Sequence, residues 1–266
     1  MRTIVLILAL IILPFATHCQ NFYCGIHTGY SLPLSRTVLA RISTMSEDVV
    51  VYGGFGKGWN FSAYGGYSIN ERLGIELAAN YHSSAGFYYT NDNNYTSYSP
   101  DDGLNQLQIN YFAISPTIRI KSGGENQRFY LKQGISFGVG NRYEHKSMIG
   151  YDGGYQFTKS GGISYGLTSA FGITGKLSDH VSVFGELNCI YMNWAPTKGK
   201  YTKGTIYGTD MLSAMTVNER EVVYVDNLSG HVLPEIQAPS DQPSQQSKTY
   251  SPLSGAGLSV GLHVNF

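Results

Sequence analysis

Residues 257–266, GLSVGLHVNF, end the chain and decide its fold. Apolar side chains occupy every second position from Leu258 to Phe266, and small or polar side chains fill the positions between them. A period of two indicates a β-strand with one apolar face and one polar face. Because the strand stops on an aromatic residue, it is typical of the strand that closes a membrane β-barrel.

The first residues of the chain predict export. Arg2 precedes an apolar run, 4–16, that is too short to cross a bilayer, since a spanning helix needs about 20 apolar residues. We therefore expect residues 1–19 to be a cleaved signal peptide. No later segment reaches that length, and residues 20–266 are predicted to form one outer-membrane β-barrel domain.

The composition fits an exported β-protein. Charged residues make up 14% of the chain, against about 25% in ordinary soluble domains. The chain is rich in Gly (32) and Tyr (21). Its 18 basic residues balance 18 acidic ones, so the net charge gives no reason to expect a nucleic-acid partner.

Turn signals divide the chain after the signal peptide into eight amphipathic segments, which we predict to be strands. These segments cover about 21–31, 58–69, 73–89, 106–121, 128–143, 161–176, 181–194 and the terminal stretch. Pro116 lies inside the fourth segment. Because proline lacks the N–H that a ladder needs, we expect a bulge or a local break in register there.

The predicted connections alternate in length. Short ones at 69–72, 122–127 and 176–180 separate long ones at about 32–56, 90–105, 144–160 and 195–252. Short turns on one side and long loops on the other are the pattern of an outer-membrane barrel. In the longest loop, residues 205–207 and 221–226 could pair as a hairpin above the membrane, or add two strands and make ten.

Four isolated charges lie on the polar face of the predicted strands. They are Glu76, Arg119, Lys132 and Glu186, among Gly, Ser, Thr, Asn and Ala. Small residues suit the narrow interior of an eight-stranded barrel, and charges buried there should pair. We therefore predict an ion-pair network in the lumen.

Aromatic residues gather at the ends of the predicted strands, as in the girdles of membrane barrels. At the long-loop end we assign Trp59, Tyr88, Tyr143 and Trp194, and at the other end Phe22, Phe129 and Phe266. The fold class predicted is all-β: an eight-stranded antiparallel transmembrane up-and-down β-barrel with long extracellular loops.

The whole pattern resembles the small outer-membrane barrels of Gram-negative bacteria, of the OmpA transmembrane domain, OmpX and OmpW types. The start at Gln20 and the segments rich in Tyr, Asn and Gly most resemble the versions found in Bacteroidetes-type bacteria. The resemblance implies an outer-membrane location among outer-membrane lipids. It also implies insertion by the barrel-assembly machinery, which reads the C-terminal strand and Phe266, and an ion-pair network of the OmpA kind inside.

No sequence motif specifies an activity, so we expect a non-enzymatic protein with a structural or surface-interaction role and a plugged lumen. Tyrosines in the loop after the third segment favour contact with an extracellular protein or glycan. The alternative is a small porin or an OmpW-like transporter of small or hydrophobic solutes. A lipid-modifying enzyme using His82 and Asp92 is a remote alternative. The seven scattered histidines predict no metal site, and we expect no cofactor.

Overall fold

The computed structural model describes residues 21–43, 48–91, 103–123, 127–147, 153–226 and 239–266. Eight long strands in this part of the chain form one antiparallel barrel. They are β1 (Phe22–Pro33), β2 (Gly58–Ser68), β3 (Leu73–Ser84), β4 (Gly103–Gly123), β5 (Gln127–Ser147), β6 (Gly153–Lys176), β7 (Val181–Trp194) and β8 (Gly255–Asn265). Each strand pairs with the next along the chain.

The first and last barrel strands close the sheet on itself. β1 pairs with β8 from Tyr23 opposite Asn265 to Pro33 opposite Gly255, and β8 pairs in turn with β7. Closure leaves none of the eight strands as a free edge. The predicted fold class is confirmed with eight strands, and the ten-stranded alternative is wrong because the extra strands of the longest loop stay outside the closed ring.

The exterior of the barrel is apolar and the interior is polar. Every strand places large apolar side chains on the outside at alternate positions, where Tyr165, Leu258 and Ile26 remain 77%, 70% and 61% exposed. The opposite face buries Ser, Gly and charged side chains. Water would solvate such an exterior poorly, whereas lipid would cover it, and a closed barrel pairs each strand with a neighbour on both sides. The fold is therefore that of a transmembrane barrel.

The register of the sheet is unbroken at Pro116, so the expected bulge or break in register is wrong. Pro116 pairs with Leu77 of β3 in unbroken register. On the other side, the pairing of β4 with β5 passes from Ile114 directly to Thr117 without a shift in register. Proline has no N–H to donate, and its effect is limited to two unpaired positions on that side, with no bulge and no shift in register.

Strands β4, β5 and β6 continue beyond the barrel at the end that carries the long connections, here called the loop end. The predicted loop at 144–160 is therefore mostly strand, because β5 runs to Ser147 and β6 begins at Gly153. Both faces are partly polar there, for example at His145 and Gln156. The alternation that signals a strand in sequence is lost although the hydrogen-bonded ladder continues.

The longest connection adds strands to this extension rather than a separate hairpin. Lys198–Ile206 pairs with the first part of β6, Glu221–Val225 pairs with Lys198–Ile206, and Ser244–Ser247 runs parallel to Glu221–Val225. We call these three strands, together with residues 153–160, the loop-end sheet. The predicted pairing of 205–207 with 221–226 is wrong, because Thr205 and Ile206 pair with Thr209–Asp210.

Smaller elements complete the connections. They are the strands Thr37–Ser43, Asp48–Gly53, Phe87–Asn91 and Ser251–Pro252, the 3-10 helix Leu212–Ala214 and the helix Val217–Arg220. Thr216 and Glu219 form a capping box at the start of Val217–Arg220. No helix within the described residues is long and apolar enough to cross a membrane.

Candidate functional site

The four predicted lumen charges lie together inside the barrel, and we call them the lumen network. Lys132 Nζ is 3.1 Å from Glu76 Oε2 and 3.0 Å from Glu186 Oε2. Arg119 Nη1 donates to Glu76 Oε1 at 3.0 Å. All four side chains are buried. Two cations and two carboxylates from β3, β4, β5 and β7 therefore neutralise one another across the lumen.

A layer of four aromatic rings packs around this network. The aromatic layer comprises Tyr23, Tyr64, Tyr130 and Phe184. Tyr130 donates its hydroxyl to Glu186 Oε2 at 3.0 Å, and the Arg119 guanidinium lies 4.2 Å from the centre of the Tyr130 ring. Hydrogen bonds and cation–π contacts thus add to the ion pairs, as a buried charge requires.

The space left inside the barrel is small. The interior cavity beside the lumen network holds about 90 Å³ and is lined by polar groups that include Asn80, Asn188 and Ser62. This volume accommodates several water molecules. The side chains therefore fill the lumen at the level of the network, as expected of an eight-stranded barrel.

A second cluster, the outer core, fills the barrel mouth at the loop end. It comprises Phe55, Leu107, Ile109, Tyr111, Ala113, Met192, Trp194 and Leu253. Phe55 and Leu253 come from connections, and both are fully buried. Since loop residues pack onto side chains of β4 and β7, the loops close the mouth above the lumen network.

Trp194 belongs to this outer core and not to a girdle, so its assignment to the outer girdle is wrong. Its ring is fully buried, and its Nε1 donates to the carbonyl of Gly161 at 3.0 Å. Side chains along a strand alternate between its two faces. Glu186 of β7 faces inward, and Trp194 lies an even number of residues further along the same strand, so Trp194 also faces inward.

The other girdle residues lie at or near the surface. Trp59 and Tyr88 at the loop end, and Phe22, Phe129 and Phe266 at the opposite end, are exposed. Tyr143 is half-buried. Tyr30 packs edge-on against Trp59, and Phe22 against Tyr67, so each end of the exterior carries paired aromatic rings.

The chain has two tryptophans, so the interior position of Trp194 can be tested directly. In vesicles with brominated acyl chains, the Trp194→Phe variant should be strongly quenched, because its remaining ring, Trp59, lies on the exterior. The Trp59→Phe variant should keep its emission, because Trp194 is enclosed by protein. Equal quenching of the two variants would contradict the assignment of Trp194 to the interior.

Among the described residues, His82 contacts a side-chain amide oxygen and a main-chain carbonyl. Its Nδ1 lies 2.5 Å from Asn60 Oδ1 and its Nε2 lies 3.0 Å from the carbonyl oxygen of Phe55. Ser83 lies on the opposite face of β3 and bonds Asn110. Asp92, the acid proposed from sequence, lies outside the described residues. The contacts of His82 tie β2, β3 and the Phe55 connection together.

The sequence reading missed the aromatic layer. Tyr23 and Tyr130 follow the exposed Phe22 and Phe129 directly, and both are 2% exposed. Strict alternation would have placed them inside, because neighbours along a strand face opposite ways. The same rule applies to Tyr64 and Phe184, which lie between outward-facing residues of β2 and β7.

Adjacent glycines on β2 test the packing of this layer. A methyl group on Gly66 would overlap the Tyr23 ring, whereas a methyl group on Gly65 would meet no atom within 4 Å. Gly66→Ala should therefore lower the free energy of unfolding by about 1–3 kcal/mol. Gly65→Ala, the matched control, should change it by about 0.5 kcal/mol or less. Urea unfolding in lipid vesicles measures both, and equal effects would contradict the packing described.

A further ion cluster lies at the loop end. The sequence analysis does not predict this cluster. Glu144 Oε1 is 2.8 Å from both Arg142 Nε and Lys159 Nζ. Burial lowers the pKa of Lys159, and the neighbouring Glu144 carboxylate opposes that shift. Phe157, Val222 and Tyr224 pack beside it. This packing gives the loop-end sheet an ordered core of its own.

No three His, Cys, Asp or Glu side chains of the described ranges come together in a group that could hold a metal ion. Cys24 and Cys189 are free thiols.

Strand pairing, the apolar exterior and the filled interior define the class of protein: a closed eight-stranded transmembrane β-barrel. No protein-family model matches the chain, and no curated protein matches it either. Among solved structures, Neisserial surface protein A (NspA) is 12% identical with a TM-score of 0.44, and the match covers 92% of this chain and 97% of that one.

Two further solved structures are similar over the same share of this chain. Ail, the attachment invasion locus protein of Yersinia pestis, is 10% identical with a TM-score of 0.34, covering 92% of this chain and 99% of that one. A Pseudomonas aeruginosa FadL homologue is 11% identical with a TM-score of 0.32, covering 92% of this chain and 57% of that one.

Proposed function

We propose that the chain is a non-enzymatic outer-membrane protein with a closed lumen, whose role is structural or lies in contacts at the cell surface. The observation that carries this proposal is the lumen network, in which Lys132 bridges Glu76 and Glu186 inside the aromatic layer. A neutralised and filled interior supports a scaffold better than a pathway. The loops on such a scaffold then carry the function.

Several features support the outer membrane of a Gram-negative bacterium as its location. Exported barrels of this size have short periplasmic turns and longer extracellular loops. The turn between β2 and β3 and the turn between β6 and β7 are short, and the long connections lie at the opposite end. The loop end is then extracellular, and the opposite end, here called the turn end, is periplasmic. Export by residues 1–19 is part of the same proposal.

The exterior of the barrel suggests its partners. Outer-membrane lipids cover the apolar belt, and the barrel-assembly machinery inserts the chain by recognising β8 and Phe266. The loop-end sheet presents Lys198, Lys200 and Val223 to solvent on one face. A rigid exposed sheet with mixed apolar and cationic groups suits an extracellular protein or glycan.

Deleting the loop-end sheet tests the surface role. Tyr224 N donates to the carbonyl of Thr197 at 2.9 Å and Lys248 N donates to the carbonyl of Val225 at 3.0 Å. Both ends of the segment 198–248 therefore lie beside consecutive residues, and a short linker can replace it. The shortened barrel should still fold, shown by heat-dependent gel mobility, and reach the outer membrane of intact cells. Nanodiscs with the full chain should bind members of a glycan array or a panel of extracellular proteins, and those with the shortened chain should not. Identical binding patterns would contradict the surface role.

A transporter of small or hydrophobic solutes is the second candidate, favoured by one observation. β6 pairs with β7 only as far as Gly166 opposite Met192 and then passes to a new partner strand. A cavity of about 590 Å³ lies where the two strands part, lined partly by the exposed Ile163 and Tyr165. It opens on the exterior of the barrel, whereas Met192 and Trp194 close the interior behind it.

A further inference from the structure

A carboxamide lies on the apolar exterior of the barrel. Gln133 of β5 is exposed and points outward between Leu131 and Ile135, which are exposed as well. Phe129 and Phe137 occupy the next outward positions of the same strand. Gln133 is therefore placed within the apolar belt, away from both ends of β5. A polar side chain costs free energy in hydrocarbon unless its hydrogen-bonding groups find partners.

The neighbouring strands satisfy one part of this carboxamide. Gln133 lies in a continuous ladder, opposite Ile118 of β4 on one side and Ser169 of β6 on the other. The Ser169 hydroxyl donates to Gln133 Oε1 at 2.6 Å. A carboxamide also has a second lone pair on its oxygen and two N–H donors. No described residue accepts a hydrogen bond from Gln133 Nε2, so these groups face the membrane.

A groove on the exterior runs from Gln133 across β4 and β3 to β2. It has a volume of about 970 Å³, and its walls include Leu77, Pro116 and Ile118. Gly65 of β2 lines the far part of the groove, where a methyl group added to it would meet no atom within 4 Å. The carboxamide and the groove therefore form one continuous surface, which we call the groove face.

The tilt of the strands determines which residues share the depth of Gln133 in the membrane. A row of paired residues that starts at Phe22, near the turn end, passes through Gln133 and returns to β1 at Leu32, nearer the loop end. Such rows therefore climb toward the loop end by about one residue per strand. At the depth of Gln133, the nearest outward side chains are consequently Phe171 on β6 and Pro116 on β4.

A ridge lies on the β6 side of Gln133 at this depth. Phe171 is exposed, and its ring stacks within 10° of parallel on that of Phe129, with 6.2 Å between the ring centroids. The groove lies on the other side of Gln133. A two-fold axis along the membrane normal beside Gln133 would therefore place the Phe171 ridge of each copy over the Pro116 groove of the other, as a self-complementary interface requires.

We propose that two copies of this chain dimerise in the membrane through the groove face, with Gln133 of each copy hydrogen-bonded to Gln133 of the other. Two carboxamides related by a two-fold axis form two N–H···O bonds, so each copy supplies the donor and the acceptor that the other needs. Lipid acyl chains can fill the groove but offer no hydrogen-bonding group to the carboxamide. Polar side chains associate transmembrane segments for this reason.

Energy transfer between copies of the refolded full-length protein in lipid vesicles tests the dimer. Donor and acceptor dyes are attached through Lys203→Cys at the exposed loop end, in a parent chain that carries Cys24→Ser and Cys189→Ser. The parent should transfer energy above the level of randomly distributed barrels, and dilution with lipid gives the dissociation constant. Gln133→Leu should raise that constant at least about tenfold, because two hydrogen bonds are lost.

The matched control is Thr28→Val. It also replaces a polar side chain by an apolar one at an outward position, but on β1, which lies four strands away from β5 around the ring. This variant should dimerise like the parent. Gln133→Leu should also raise the urea midpoint of the barrel at high lipid dilution, because it removes a polar group from hydrocarbon. A residue needed only for folding would show the opposite change.

A second variant tests the groove and keeps the test decisive if Gln133→Leu fails to fold. Gly65→Phe places a ring in the groove from the lipid side, where a side chain meets open space. It should fold, shown by heat-dependent gel mobility, and should raise the dissociation constant at least about tenfold, because the ridge of the other copy can no longer enter.

The proposal is overturned if the parent transfers no energy above the random level, in which case lipid covers the groove. It is also overturned if either folded variant dimerises like the parent, if neither variant folds, or if Thr28→Val weakens the dimer as much as they do. Weaker dimers in the two variants alone support it. The groove face includes neither the lumen nor the loops, so its failure would leave the proposed function untouched.

Discussion

Replacing Lys132 by alanine should lower the free energy of unfolding of the barrel by about 3–5 kcal/mol. Lys132 is the central cation of the lumen network and contacts both Glu76 and Glu186. Its loss leaves Glu76 with Arg119, whereas Glu186 keeps only the Tyr130 hydroxyl among the described contacts. A buried carboxylate without a cation is among the most destabilising single defects in a protein.

The control for this prediction restores charge balance. Lys132→Met combined with Glu186→Gln removes one cation and one carboxylate, and it should recover a large part of the stability lost in Lys132→Met alone. Arg119→Ala should be milder than Lys132→Ala, because Lys132 still neutralises Glu76. Urea unfolding in vesicles measures each variant. A Lys132→Ala barrel as stable as wild type would contradict the network described.

Replacing Trp194 by alanine should lower the free energy of unfolding by about 3–5 kcal/mol, because it removes a large buried ring and leaves a cavity. Trp194 is fully buried in the outer core and packs against Gly140. Trp59→Ala is the matched control, because the Trp59 ring is 56% exposed on the exterior. It should cost less than half as much. Equal losses in the two variants would show that Trp194 does not hold the mouth closed.

Much of the barrel could be predicted from sequence because lipid imposes a strong pattern. Where a strand separates lipid from a narrow lumen, its side chains must alternate, and this rule located β1, β2, β7 and β8 to within a few residues. The same alternation predicts that all four charged side chains of the lumen network face the interior. Their pairing follows from the narrow lumen.

Other parts of the structure could not be predicted from the alternation of apolar and polar residues, because other interactions determine them. Toward the loop end, both faces of β5 and β6 are partly polar, so the pattern fades while the backbone ladder continues. The prediction for Trp194 is wrong because it rests on the residue type near the end of a strand and not on the face of the strand that the side chain occupies. The outer core joins Phe55, Leu253 and Trp194 from distant parts of the chain, and no local pattern reports such a contact.

Conductance of the refolded protein in a planar lipid bilayer tests the closed lumen most directly. Folding is first confirmed by heat-dependent gel mobility. The lumen network, the aromatic layer and the outer core together predict a silent membrane, with no stable open steps above the protein-free background. Stable open steps from the folded protein would contradict the closed lumen and would make the barrel a transporter.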